Sequence, residues 1–463
     1  MIPVAAALLC VAVPVARASR WTVVLAALGV TALAIATFFL PPDWIGARIA
    51  WAPQLGSAYR VDVDGLSAIL IALVGSIAAV AAAASGRVAH DRAYHALLAM
   101  TLAAYIVAIV ARDLLLFFLG WEAAIVPLAL LVWRWGGPDR RGATWRMVAY
   151  ALSGDALVLV GIASLAVARG TLDLDALAAR RVPAAAQVLP AMLVLTGLAV
   201  RLPAFPLHAW LPRLARSAPM PLLAVILGVG SSVAVYAIAR FPLYLFPQGM
   251  SAAAPVLVAL ASVGVVYGAL LALRQDDVRA AIAYASVAQV GVVTLGIFTA
   301  TANSLPGAML AAAAHALAAA TVCVLAAALA RRTSSYLLSR AGGLAASAPQ
   351  LSAVFTFALV SAIGLPGTVG FAGTLLTLVG TYERFPATTS VAALGLALLG
   401  VFAARGIRRA FHGPPLATGP DLRWRERALL APLLAASLVL GLAPRLFIDR
   451  IPEGALPAVE LPQ

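Results

Sequence analysis

Apolar runs of about twenty residues, separated by short connections rich in arginine, proline and glycine, recur along the whole chain. They are read at roughly 2–16, 22–40, 65–84, 94–111, 114–133, 146–168, 188–207, 221–240, 253–273, 280–300, 307–330, 353–380, 387–404 and 428–448. Lipid offers nothing to pair with an open backbone N–H or C=O, so runs of this length are expected to cross as helices. The pattern predicts an all-α polytopic membrane protein of about fourteen transmembrane helices, with almost no mass outside the bilayer. The first run could pass for a signal peptide, because Ala16-Arg17-Ala18 looks like a cleavage site. No positive segment precedes it, so a retained helix is expected.

Two runs are interrupted. Pro203 and Pro206 break the seventh, and Leu365-Pro366-Gly367 breaks the twelfth. Five spans separate the breaks, which places them equivalently in two five-helix blocks, 94–241 and 252–404. Residues 1–93 supply three helices before the blocks, and 405–463 supply a basic link and a last helix. Interrupted helices at matching positions in two halves point to a transport site. Proline kinks without a transport role are the ordinary alternative.

Composition removes the soluble classes. Hydrophobic residues make up 63% of the chain and charged ones 11%, with a mean hydropathy of +1.00. Soluble domains carry about 25% charged residues. The formal charge of +14 does not mark a nucleic-acid face, since the basic residues sit in ones, twos and threes between apolar runs. All of them are arginine, and lysine is absent. Cys10 and Cys323 fall inside spans, as small core residues do, and no metal cluster, haem motif, phosphate loop or dinucleotide fingerprint appears. No cofactor and no redox chemistry are expected in this chain.

Arginine placement sets the orientation. The odd-numbered connections hold twenty-one arginines, among them Arg87, Arg134, Arg213, Arg279, Arg331 and Arg423, while the even-numbered ones hold eight, among them Arg48, Arg60 and Arg181. This asymmetry puts the odd connections in the cytoplasm and both termini on the other side, in a bacterial-type inner membrane. The longest cytoplasmic link, roughly 405–427, contains Pro414 and Pro415.

Four ionisable residues fall at membrane depth, where a charge costs several kcal/mol unless paired. Glu122 lies well inside the fifth span, Asp155 about three turns into the sixth, Arg201 at the break in the seventh, and His315 in the middle of the eleventh. Histidine, with an ordinary pKa near 6.5, suits proton exchange. The alternative is structural: Glu122 or Asp155 neutralises Arg201, and a backbone carbonyl satisfies His315.

Several stretches taken in order resemble the antiporter-like membrane subunits of respiratory complex I (NADH:quinone oxidoreductase) and their Mrp-antiporter and membrane-bound hydrogenase relatives. They are Val63-Asp64-Gly65-Leu66-Ser67, Asp113-Leu114-Leu115-Leu116-Phe117-Phe118 leading to Trp121-Glu122, and Arg201-Leu202-Pro203-Ala204-Phe205-Pro206-Leu207-His208-Ala209-Trp210-Leu211-Pro212. Ala218-Pro219-Met220-Pro221, Val278-Arg279-Ala280-Ala281-Ile282-Ala283-Tyr284-Ala285-Ser286, His315-Ala316-Leu317 and Gly364-Leu365-Pro366-Gly367-Thr368 follow. The resemblance covers about residues 55–450. It implies fourteen helices in two inverted five-helix repeats with helices 7 and 12 broken, and a mid-membrane relay along which protons hop with water. Position by position, Glu122 matches the family's helix-5 glutamate and His315 its helix-11 histidine. Arg201 stands where the family has a helix-7 lysine. Ser232 replaces the helix-8 lysine, with Ser231 as its neighbour. Ala319 stands for a helix-11 lysine of some members, and Thr374 replaces the helix-12 charge.

These replacements matter physically. A buried lysine can give up its proton, whereas arginine stays charged; Arg201 can tune Glu122 but cannot be a stop on a proton wire. Serine and threonine can hydrogen-bond along a water chain without storing charge. Two readings follow. The chain conducts protons, or another monovalent cation, inside a complex with other membrane subunits. Alternatively, it supports those partners without conducting.

Overall fold

The computed structural model describes residues 1–12, 16–39, 46–85, 91–180, 182–414, 416 and 418–451. Arg87, Arg181, Pro415 and the last twelve residues lie outside the described residues, as does the end of the first expected span. The protein is mostly helical, and among the described residues ten helices are long and apolar enough to cross a membrane. It is a multi-pass membrane protein.

In chain order the helices that frame the bundle are α1 (Ile2–Ala12), α2 (Ala16–Ala36), α3 (Gly65–Ala84), α4 (Arg92–Val110), α5 (Leu114–Trp135) and α6 (Arg140–Arg169). The first break separates α7 (Val188–Arg201) from α8 (Leu211–Ser217). Then come α9 (Met220–Leu243), α10 (Pro247–Arg274), α11 (Val278–Thr299) and α12 (Ser304–Thr333). The second break separates α13 (Pro349–Ile363) from α14 (Val369–Tyr382), followed by α15 (Pro386–Phe411) and α16 (Trp424–Leu442).

Helices α9 and α12 form the centre. Both are buried along nearly their whole length, while α6, α10 and α15 turn much of their surface outward. The run Ala311-Ala312-Ala313-Ala314-His315-Ala316 lets neighbouring backbones approach α12 closely, as small residues do between membrane helices. Helix α9 carries two π-helical turns, Val225–Gly230 and Ala239–Leu243, and packs against both α7 and α12.

The apolar pattern gave no sign of a β-hairpin between α2 and α3. Strands β1 (Ala47–Ala52) and β2 (Ser57–Val61) pair antiparallel around Gly56, whose φ of 65° favours glycine. The hairpin ties three connections together: Ser57 Oγ donates to Asp113 Oδ1 at 2.8 Å, and Arg60 pairs with Asp173 at 2.6 Å. Its side chains alternate too briefly, and across too many small residues, to stand out from a loop. At the same end a buried cluster forms, with Arg112 3.0 Å from Asp64 and the buried Arg240 paired to the same carboxylate.

On the opposite, arginine-rich face the basic link packs against the ends of α12 and α13. Asp421 accepts from the Gln350 and Leu351 N–H groups at 2.9 Å and so caps α13. Arg332 Nη2 donates to the Asp421 carbonyl at 2.8 Å and pairs with Glu426 at 3.0 Å. Burial pushes the Glu426 carboxyl up, but hydrogen bonds from Arg332, the Arg423 backbone and Arg331 outweigh it and hold the group at about 2. Because the folded value is depressed, this stabilisation is complete above the ordinary 4.5 and fades as pH falls towards 2. Glu426→Gln is expected to cost about 2 kcal/mol of local stability at pH 7. Hydrogen exchange across 418–426 should be faster in the variant at pH 7, with the difference narrowing at acid pH.

Candidate functional site

The first break exposes backbone that the surrounding helices must satisfy. Pro203 and Pro206 have no N–H to give. The Ala199 carbonyl accepts from the Ala204 N–H at 3.1 Å, and Trp210 Nε1 donates to the Val200 carbonyl at 2.9 Å. Arg201 sits at this open end. Its Nη1 donates to the Trp121 carbonyl at 2.8 Å and lies 3.5 Å from Asp155 Oδ2, and its guanidinium carbon stacks 3.7 Å from the centre of the Trp121 ring. Trp121 Nε1 in turn donates to Asp155 Oδ1 at 2.6 Å. Trp121 thus joins α5 to both α6 and the break.

Glu122 is half-buried beside this cluster; its carboxyl interacts with Asp155 and with the charge of Arg201, and its Oε2 is buried with no hydrogen-bond partner. The structure therefore gives Arg201 to Asp155 as its ion-pair partner, and not to Glu122. The reason lies in backbone packing: a Cβ on Gly197 would stand 2.3 Å from the Gly154 carbonyl oxygen, so α6 and α7 touch there. That contact brings the next residue, Asp155, to Arg201, one turn beyond Gly197.

The second break follows the same logic. Pro366 cannot donate to the carbonyl of Ala362, four residues upstream. Gln289 Nε2, from α11, donates to it at 2.9 Å instead. Helix α13 ends at Gly364, whose φ is 106°, with the Leu365 N–H bonded back to the Val360 carbonyl at 3.0 Å. With its amide nitrogen turned to Ala362, Gln289 presents Oε1 to His315 Nδ1 at 2.6 Å. Nδ1 therefore carries the hydrogen in the neutral ring, and Nε2 is left buried with no partner. His315 is thus satisfied by a glutamine side chain and not by a backbone carbonyl.

The other expected positions divide. Ser232 is buried, and its hydroxyl donates to the Gly228 carbonyl of its own helix at 2.7 Å, whereas the neighbouring Ser231 Oγ is buried and unpartnered. Ala319 is buried one turn after His315. Thr374 is only half-buried; Thr377, nearly one turn further along α14, is fully buried with an unpartnered hydroxyl. A void of about 40 Å³ beside Arg201, lined by Tyr105, Met147, Trp210 and Gly230, has room for a water. The structure brings Glu122, Asp155 and Arg201 together and sets His315 apart, with α9 and its two serines packed between. Gln289 and Tyr105, which complete these surroundings, are polar residues in ordinary apolar runs and carry no charge to flag them.

The fold and site define a class: a multi-pass helical membrane protein with two broken helices, each beside a buried ionisable group. A family model described as NADH:quinone oxidoreductase/Mrp antiporter, TM, matches residues 111–400. The NAD(P)H-quinone oxidoreductase chain 4 1 of Synechococcus sp. (strain JA-3-3Ab) is 35% identical over 420 residues, 87% of this chain and 80% of the relative. A chain of respiratory complex I from Thermus thermophilus with bound NADH superposes with a TM-score of 0.90 at 28% identity, covering 98% of this chain and 97% of its own. A chain of the Mrp complex from Dietzia sp. DQ12-45-1b shares the fold, with a TM-score of 0.87 at 21% identity over 98% of this chain and 95% of its own. The chain belongs to the NADH:quinone oxidoreductase/Mrp antiporter transmembrane family.

Removing one partner of the buried Asp155–Arg201 pair strands the other charge. Asp155→Asn is expected to destabilise the protein by about 3–5 kcal/mol. Adding Arg201→Gln should recover part of that loss, because no stranded charge remains. Thermal unfolding of the two single variants and the double variant checks this; additive losses would mean that the pair is not coupled.

Proposed function

We propose that the chain is a proton-conducting membrane subunit of a multisubunit complex of the NADH:quinone oxidoreductase or Mrp type, with no redox chemistry of its own. The observation that carries this reading is that each half holds an ionisable side chain with a buried, unpartnered atom, Glu122 Oε2 and His315 Nε2, next to a broken helix. Buried polar atoms are normally paired, and waters passing along a relay would supply the missing partners. In this reading Glu122 and His315 take and release protons, Asp155 and Arg201 set the local charge, and Ser231, with water, spans the gap across α9. Other membrane subunits would be the partners. Both termini would face away from the cytoplasm of a bacterial-type inner membrane.

We also infer fourteen spans in two inverted five-helix blocks, 94–241 and 252–404, with 1–93 before them and 405–463 after. Backbone pairing supports the repeat. Asp113 bridges Asp173 in the first block and Asp277 bridges Leu337 in the second, across the same sequence separation. Five spans lie between the two bridges, so they fall on opposite faces.

A second reading, a supporting subunit that carries no current, draws on Ser232, whose hydroxyl is spent inside its own helix. Proton uptake into liposomes containing the whole complex separates the two. Glu122→Gln should lower uptake by about 10²-fold, as loss of a positioned proton-transfer group does. Gln289→Leu, which frees His315 from the second break, should also lower it, and Arg201→Lys should raise it. Uptake unchanged by both Glu122→Gln and Gln289→Leu would assign the chain to the supporting role.

A further inference from the structure

On the arginine-rich face the helix ends stand apart around an open cavity of about 1420 Å³. Its walls carry Arg279, Arg331, Arg423, Arg425 and Arg427 against one carboxylate, Glu426. That carboxylate is already held by Arg331 and Arg332, and Arg279 is held by Asp277 at 2.7 Å. Arg423, Arg425 and Arg427 have no carboxylate in ion-pair range among the described residues. All three are exposed at the entry and first turn of α16, and Arg423 and Arg427, four residues apart, repel each other unless an anion lies between them.

The walls are not uniformly polar. Trp424 is 66% exposed among these arginines, with the Arg425 guanidinium 5.4 Å from its ring centre, and Trp135, Tyr336, Val324 and Leu429 add apolar surface. Exposed tryptophans mark the level of the lipid headgroups. Guanidinium groups bind phosphate oxygens in pairs, and basic pockets between helices at this depth suit phospholipid heads. A free inorganic anion would gain nothing from the aromatic and aliphatic walls.

We propose that this cavity binds the phosphate headgroup of an anionic phospholipid, held by Arg423, Arg425 and Arg427, with Trp424 against its glycerol backbone. The site does not depend on conduction, so it can stand or fall apart from the proton-relay reading.

The test uses the full chain in phosphatidylcholine nanodiscs containing a minor fraction of phosphatidylglycerol. Native mass spectrometry should show retained phosphatidylglycerol on the native chain, and about a hundredfold less on a variant carrying Arg423→Gln, Arg425→Gln and Arg427→Gln, given the usual contribution of each arginine near a membrane surface. Brominated phosphatidylglycerol should quench tryptophan emission more than brominated phosphatidylcholine does, and Trp424→Phe should remove that excess. Equal retention by native and triple-variant chains overturns the proposal. So does displacement of the lipid by inorganic phosphate alone, which would make this a free-anion site. If the triple variant does not fold, the bromine arm decides: no excess quenching, or an excess that survives Trp424→Phe, overturns it.

Discussion

A proline inside a membrane helix frees the carbonyl four residues upstream, in a place where water is scarce. The fold around both breaks is organised by that requirement. At the second, Pro366 frees Ala362, and Gln289 must reach across from α11 to satisfy it. At the first, the chain needs nine non-helical residues between Arg201 and Leu211 to recover, and Trp210 is turned back onto the Val200 carbonyl. A side chain recruited to mend a break is fixed in place, and what it holds with its other atoms is fixed as well. Gln289 therefore orients His315, and Trp121 positions Asp155 and Arg201 together.

On the proposed repeat, the two halves carry the same device in different chemistry. In each, a residue of the block's second helix links its third helix to the break in its fourth: Trp121 does so with an indole and a carbonyl, Gln289 with an amide. The step from Asp113 to Asp277, 164 residues, also carries Asp155 onto Ala319. On the proposed repeat, the second half has therefore lost the counter-ion of the first. It also lacks the arginine, since the same step carries Arg201 onto Leu365. Loss of both members of a buried pair leaves no stranded charge, whereas loss of one would. The titratable group of the second half, His315, stands one turn from Ala319, on the same face of α12.

Much of this was legible in the sequence, and what was not has identifiable causes. Long apolar runs located the helices because lipid imposes one length and one hydrogen-bonding solution on every crossing. Proline located the breaks, since its effect on the backbone is local. Glu122 and His315 stood out because charge inside an apolar run is rare. The choice of Asp155 as the partner of Arg201 depended instead on a glycine contact between α6 and α7, a distance between helices that no local pattern encodes. Gln289 was hidden for a related reason: an uncharged amide in a span is unremarkable until the carbonyl it must serve is known. The hairpin at 47–61 was lost among connections because small residues blur its alternation.

Arginine in place of lysine changes what the first cluster can do with a proton. Arg201 and Asp155 hold opposite charges 3.5 Å apart, and arginine does not release its proton at any working pH. The pair is thus a fixed, nearly neutral dipole, and Glu122 is the group beside it whose charge is left uncompensated. Protonating Glu122 takes that cluster from net negative to neutral, while protonating His315 takes the other from neutral to positive. Moving a proton from Glu122 to His315 therefore creates a negative and a positive site on either side of α9. In a medium of low dielectric these attract, so the separated state is partly stabilised by its own field. A lysine at position 201 could surrender its own proton towards His315 and be refilled from Glu122, adding a second titratable stop to the cluster. With arginine that route is closed, and on the proposed reading charge has to cross α9 in one step, through water and Ser231.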